Sequence, residues 1–244
     1  WPAPLLPGAI WHAHEMIFGF ALAVITGFLF TAGRNWTGRP TPTGAPLAAL
    51  ALLWVAARML AYTPWTLAAA VANAAFAFAV AVALGIAFIG AGNRRNYFFI
   101  ALMAAFGIAS LAVHLVALGL LALPGWLGIQ LALDMVLIIM VVMAGRVVPM
   151  FTNNAIPLVG AGRHPLIEHA AHLTAVAVLG ADLLLPDSIW HGAVLLMCCA
   201  AQTGRWLLWR PWKTLGQPLV WVLHLAYLWI VIHLALRAAA LQGW

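Results

Sequence analysis

The chain has 244 residues, of which 66% are hydrophobic and only 7% are charged, and its formal net charge is +6. A mean hydropathy of +1.05 excludes a soluble globular domain, because such domains are about half apolar and about a quarter charged. The eleven Lys and Arg residues are scattered among short segments, which argues against nucleic acid as a partner.

Apolar segments of membrane-crossing length follow one another along the chain and predict an all-α, polytopic transmembrane helical bundle. Eight spans are expected, at about residues 9–32, 46–62, 67–91, 97–121, 126–148, 167–185, 189–209 and 218–240. Turn-forming residues such as Thr63-Pro64-Trp65 separate them. We expect residues 1–244 to form a single transmembrane domain in the lipid bilayer. Because the sequence starts at Trp1, we also expect it to be a segment of a longer protein.

Basic residues occur in alternate loops, and this pattern predicts the orientation of the chain. The four basic groups are Arg34 and Arg39, Arg94 and Arg95, Arg146 and Arg163, and the group of Arg205, Arg210 and Lys213. The intervening loops at about 62–66, 122–126 and 186–188 contain no Lys or Arg. Since basic loops remain in the cytoplasm, both ends of the chain are expected on the outer face of the membrane.

Nine histidines stand out in so apolar a chain, because ionisable residues within a membrane are costly and commonly functional. Their positions along the spans predict two tiers. The outer tier contains His12, His14, His114, His191 and His233, with Glu15 and Asp134. The inner tier contains His169, His172 and His224, with Arg146, Glu168 and Arg205. Imidazole suits haem iron, copper and zinc, so each tier is a candidate cofactor site.

The candidate residues divide by expected role. The candidates for cofactor binding are His12, His14, His114, His172, His224, His233 and Arg146. The candidates for metal binding are His12, His14, His114, His169 and His172. Glu15 and Asp134 are candidates for proton handling, and Arg58, Arg146 and Arg237 for pairing with haem propionates.

Helical geometry limits these partnerships, and structural interpretations stay open. His12 and His14 differ by about 200° around a helix, so they share an ion only if the helix start is irregular. His169 and His172 share one face, and so do His12 and Glu15. A lone histidine can serve as a hydrogen-bonded structural residue. Asp134 can instead pair with a neighbouring Arg or Trp N–H.

Three sequence blocks resemble the NnrS family of bacterial membrane proteins. They are WHAHEM followed by FGF (Trp11 to Phe20), GFLFTAGRNWTGRP (Gly27 to Pro40) and GRVVPMFTNN (Gly145 to Asn154). The matching residues in the first and last blocks are His12, His14, Glu15, Arg146, Pro149, Thr152 and Asn153. The resemblance implies a longer architecture of roughly twelve spans of about 20 residues. It also implies an inner-membrane protein that contains haem and copper.

The resemblance further implies a role in resistance to nitric oxide and nitrosative stress, as met in denitrification. The first hypothesis is therefore a haem/copper protein that binds or processes nitric oxide or metal-nitrosyl species, with an unknown electron donor. Redox turnover stays open. The second is a proton-coupled transporter of a small molecule or ion, and the third is a structural subunit of a larger membrane complex. Phosphate-binding and zinc-protease motifs are absent from the sequence.

Overall fold

The computed structural model describes residue 6, residues 8–186 and residues 188–241. It is 82% helical, and the described residues contain no strand, which confirms the all-α bundle. Eight helices run through these residues: α1 (Gly8–Thr37), α2 (Gly44–Leu60), α3 (Thr66–Gly90), α4 (Tyr97–Ala117), α5 (Leu127–Ala155), α6 (Pro165–Leu184), α7 (Ile189–Leu208) and α8 (Pro218–Ala240). Short 3-10 turns at Arg94–Asn96 and Pro211–Lys213 precede α4 and α8.

Six helices are long and apolar enough to cross a membrane, namely α1, α3, α4, α5, α6 and α8. Helix α2 has 17 residues and is shorter, and α7 carries three buried polar side chains, His191, Gln202 and Arg205. Large apolar side chains are exposed along the helices, as at Ile86 (70%) and Leu219 (87%). Such exposure is typical of a surface that faces lipid. Membrane crossing by α2 and α7 remains a prediction.

The helix ends agree with the expected spans within a few residues, except at α1, α4 and α5. Helix α1 continues to Thr37 rather than ending near residue 32. Helix α4 ends at Ala117 rather than near residue 121, because Gly119 takes a left-handed conformation with φ of +70°. A glycine in this conformation commonly ends a helix.

The third difference is that α5 continues through Pro149 to Ala155, where a loop was expected from residue 149. Proline lacks the N–H that would bond to the carbonyl four residues earlier. Here the last turns are held by side chains instead. The Asn153 amide donates to the Ala161 carbonyl at 2.9 Å and accepts from the Ala161 N–H at 2.9 Å.

The chain forms two compact units, Trp1–Leu133 and Asp134–Trp244, and α5 starts in the first and continues in the second. In the first unit α3 and α4 make the most extensive helix contact. Gly107 allows it, because a Cβ there would lie 2.9 Å from the ring of Phe78. Small residues allow close approach of membrane helices in this way. In the second unit α7 packs against both α6 and α8.

Candidate functional site

Two imidazoles contact each other in the core of the first unit. His14 lies on α1 and His114 on α4, and their ring centroids are 4.8 Å apart with an interplanar angle of 83°. Only 1% of His14 and 3% of His114 is exposed. Burying two imidazoles side by side in an apolar core is costly unless their nitrogens are satisfied or bind a ligand.

Hydrogen bonds determine which ring nitrogen of each histidine carries a proton. His14 Nδ1 lies 3.0 Å from Glu15 Oε1, and His114 Nδ1 lies 2.9 Å from the Ser110 carbonyl. A carboxylate and a carbonyl only accept, so in the neutral rings both Nδ1 atoms carry the hydrogen. Both Nε2 atoms therefore keep a lone pair, and His14 Nε2 is buried without a hydrogen-bond partner. Metal-binding histidines usually have this arrangement.

A chain of side chains holds Glu15 in place. Arg58 Nη1 donates to Glu15 Oε2 at 2.8 Å, and Arg58 Nη2 donates to Asn73 Oδ1. The Asn73 amide in turn donates to the Ala69 carbonyl at 2.8 Å. Three helices, α1, α2 and α3, thus fix the carboxylate that orients His14.

The local backbone of α1 explains why this network forms. The segment Glu15–Ala21 is a π-helix, a wider winding that occurs frequently at functional sites. Within it, the Gly19 carbonyl accepts from Trp54 Nε1 at 2.9 Å. A Cβ at Gly19 would lie 2.7 Å from Arg58 Nη1, so glycine is needed for the guanidinium to reach Glu15.

A small cavity lies beside the two histidines. Its volume is about 10 Å³, close to the space that one water molecule needs. Trp11, His14, Glu15 and His114 contribute to its walls, and Trp11 Nε1 is buried without a hydrogen-bond partner. The cavity therefore suits one water-sized polar molecule.

The structure brings His14, Glu15 and His114 together but not His12. His12 is exposed while His14 is buried, as their separation of about 200° requires. The irregular π winding starts only at Glu15, after both histidines, so it does not bring His12 to the site.

The expected inner group lies in the second unit and is dominated by an ion pair. Arg205 donates from Nε to Glu168 Oε1 at 2.9 Å and from Nη2 to Glu168 Oε2 at 2.6 Å. Arg205 Nη1 also donates to the Val141 carbonyl at 2.8 Å. His172 is half-buried, and its Nε2 lies 3.5 Å from Arg205 Nη2. The guanidinium therefore occupies the nitrogen with which His172 would bind a metal.

His224 has a different environment. Its Nε2 lies 2.9 Å from the hydroxyl of Thr152, which donates to the Val148 carbonyl at 2.8 Å. Nε2 is consequently the donor, and Nδ1 is buried without a partner. Beside the ring is an apolar recess of about 270 Å³, with Trp206 and Trp221 in its wall.

The remaining candidates are less enclosed. His169 and His233 are exposed, and His169 Nδ1 lies 2.6 Å from the Pro165 carbonyl. Arg146 is half-buried near the end of α5, where its carbonyl accepts from Arg163 Nη2 at 2.9 Å. Among the described residues, no group of three or more His, Cys, Asp or Glu is placed to hold a metal ion.

Sequence reasoning did not name the particular partners of the acidic residues. Asp134, a candidate for proton handling, accepts from Arg237 Nη1 at 2.9 Å. Arg237 Nη2 donates to Asp182. Arg58 and Asn73 were likewise missed as the support of Glu15. A signal was present for Asn73, since it is the one amide in the alanine-rich α3 and a buried amide requires a partner.

A family model described as "NnrS protein" matches residues 1–244 of the chain. No curated protein and no solved structure matches it.

Proposed function

Because the chain belongs to the NnrS family, we propose that it is a metal-binding protein of the bacterial inner membrane that acts in resistance to nitric oxide and nitrosative stress. The observation that carries the proposal is the buried contact of His14 with His114, in which both Nε2 atoms keep their lone pairs. Imidazole nitrogens of this kind are good ligands for copper.

The spacing of the pair fits copper and does not fit a haem held between the rings. Two imidazole nitrogens on opposite sides of one metal are about 4 Å apart, at about 2 Å from the metal each. The ring centres would then lie farther apart than the 4.8 Å between His14 and His114, and a porphyrin would have to pass between the rings. A single metal ion bound beside both rings needs neither a larger ring separation nor space for a porphyrin between the rings.

Haem is the other cofactor that the family implies, and the recess beside His224 does not match it. The recess beside His224 has a volume of about 270 Å³, below the ~300–1,000 Å³ typical of pockets for drug-sized ligands. The Nε2 atom of His224 is also bonded to Thr152. We therefore assign no haem ligand.

The residues around the pair have distinct tasks in this proposal. Bound copper supplies an open coordination position for a diatomic ligand such as nitric oxide. Glu15 holds the Nδ1–H of His14, which fixes the tautomer and makes the ring a stronger ligand. Arg58 and Asn73 hold Glu15, and the apolar walls around the small cavity exclude bulk water. The electron donor, if turnover occurs, is a separate component.

The orientation of the chain is part of the same proposal. The loops that contain Arg34 and Arg39, Arg94 and Arg95, and Arg210 and Lys213 would lie in the cytoplasm. Arg205 does not count among them, because it is buried in α7 and paired with Glu168. His14 and His114 would then lie in the outer half of the membrane.

The proposal is tested on the purified full-length protein in detergent, by metal analysis together with an optical spectrum of the haem pyridine complex. We expect stoichiometric copper, and we expect cells that lack the protein to grow more slowly under a nitric oxide donor than cells that express it. Copper-free protein after expression with adequate copper would refute the metal assignment. Equal growth of the two strains would refute the physiological role.

Glu15→Gln is expected to weaken copper binding about 10- to 100-fold, the usual effect of losing the group that orients a metal-binding histidine. The amide keeps the size of the side chain but loses the charge that attracts the Nδ1–H of His14. Isothermal titration with a competing chelator would measure the affinity. Glu168→Gln makes the same chemical change in the second unit and should leave the copper affinity unchanged. Equal affinities of the wild type and Glu15→Gln would exclude a role of Glu15 in binding.

A further inference from the structure

We propose that Asp134, Asp182, His191 and Arg237 form a proton-binding site in the second unit, one that holds a single proton at neutral pH. This inference goes beyond the proposed function and does not depend on metal binding. The four residues come from the four helices of the unit: Asp134 from α5, Asp182 from α6, His191 from α7 and Arg237 from α8.

Two carboxyl groups converge on one guanidinium. Arg237 Nη1 donates to Asp134 Oδ1 at 2.9 Å, and Arg237 Nη2 donates to Asp182 Oδ1. The shared guanidinium thus brings the two carboxyl groups close to each other. The exposed fractions are 1% for the side chain of Asp134, 7% for Asp182 and 15% for Arg237. The cluster is therefore shielded from water, and its charges must be balanced locally.

The charges of these three residues do not balance. Two carboxylates and one guanidinium leave a net charge of −1 in a buried region, and an uncompensated charge there is strongly unfavourable. One additional proton within the cluster makes it neutral. The cluster differs in net charge from the Arg205–Glu168 pair, in which one guanidinium balances one carboxylate.

His191 provides independent support for the additional proton. Its Nδ1 lies 3.2 Å from the Pro186 carbonyl, which only accepts, so Nδ1 carries a hydrogen. Its Nε2 is buried without a hydrogen-bond partner and faces Asp182 Oδ1 at 3.4 Å. In a neutral ring the lone pair of Nε2 would face a carboxylate oxygen, which is repulsive. A proton on either side of this contact removes the repulsion.

Two further groups influence the site without belonging to it. His233 on α8 interacts electrostatically with Arg237 and Asp182, and Cys198 on α7 interacts with Asp134. Neither changes the charge count when it is neutral. Ionisable groups that hold a proton within a membrane are an element of proton-coupled proteins, and the second unit contains such a group.

The test is the pH dependence of stability between pH 7 and 9, measured by unfolding the full-length protein in mixed detergent micelles. Unfolded Asp and His side chains bind few protons in this range. If the native cluster holds one proton, the folding equilibrium constant falls up to tenfold for each unit of rising pH. Asp182→Asn makes the cluster neutral without the proton, so this variant should lose the dependence.

Asp134→Asn should behave like Asp182→Asn and serves as the second variant if the first does not fold. Glu168→Gln is the matched control: it loses a carboxylate from a balanced pair, so it should be destabilised at every pH but keep the slope of the wild type. A wild type with no slope in this range would overturn the proposal. So would a slope of equal steepness in the wild type and in whichever aspartate variant folds.

Discussion

His14→Ala and His114→Ala are each expected to lower the affinity for copper by more than about 100-fold, beyond the usual effect of losing an orienting neighbour. Each substitution removes one of the two imidazoles that line the same small cavity. Copper content of the purified variants, measured by mass spectrometry after dialysis against a weak chelator, gives the result directly.

His12→Ala is the matched control for this experiment. His12 lies two residues before His14 on the same helix but is exposed, so its removal should leave the copper content unchanged. Loss of copper from His12→Ala as well as from His14→Ala would indicate a general effect on α1. Retention of copper in both His14→Ala and His114→Ala would contradict the site.

Gly145→Ala is expected to destabilise the protein by about 3–5 kcal/mol, the cost of breaking a buried ion pair. A Cβ at residue 145 would occupy the position of the Arg205 guanidinium. Arg205 would have to move away from Glu168 and from the Val141 carbonyl, to which it donates three hydrogen bonds in total. Equilibrium unfolding in detergent micelles measures the change in the free energy of unfolding.

Gly180→Ala provides the comparison, because a Cβ at Gly180 would meet nothing within 4 Å. Alanine is favoured over glycine within a helix by about 0.5–1 kcal/mol, so this variant should be as stable as the wild type or slightly more stable. If both alanine variants had the same stability, the space at Gly145 would not be needed for the ion pair.

The bundle could be predicted from the sequence because membrane helices are specified mainly by the length of apolar segments. All eight expected spans correspond to helices. Two of the three boundary errors have local causes that apolar length does not encode. At Gly119 a left-handed residue ends α4 early. At Pro149 helix α5 continues because Asn153 holds the following loop.

The candidate site could be predicted only in part. Sequence spacing separated His12 from His14, but it placed Glu15 on the face of His12, whereas Glu15 bonds to His14. It could not show that His114 meets His14, because that contact depends on how α1 packs near α4. The π winding that starts at Glu15 has no recognised sequence signal, although Gly19 marks a close approach of another residue.

The acidic residues show the same limit. Asp134 could be assigned either to proton handling or to pairing with an arginine, and the structure shows the pairing with Arg237. The sequence could not show that Asp182 and His191 lie beside Arg237 and Asp134, because these residues come from separate helices. Depth along a span indicates a tier, but the direction in which a side chain points decides its partner.

The most direct test of the account is the X-ray absorption spectrum of copper in the full-length protein. The central claim is that His14 and His114 are buried together because they bind one metal ion. We predict a spectrum with two imidazole ligands, and loss of this signal in the double variant His14→Ala/His114→Ala. Copper without imidazole ligands, or an unchanged spectrum in the double variant, would contradict the claim.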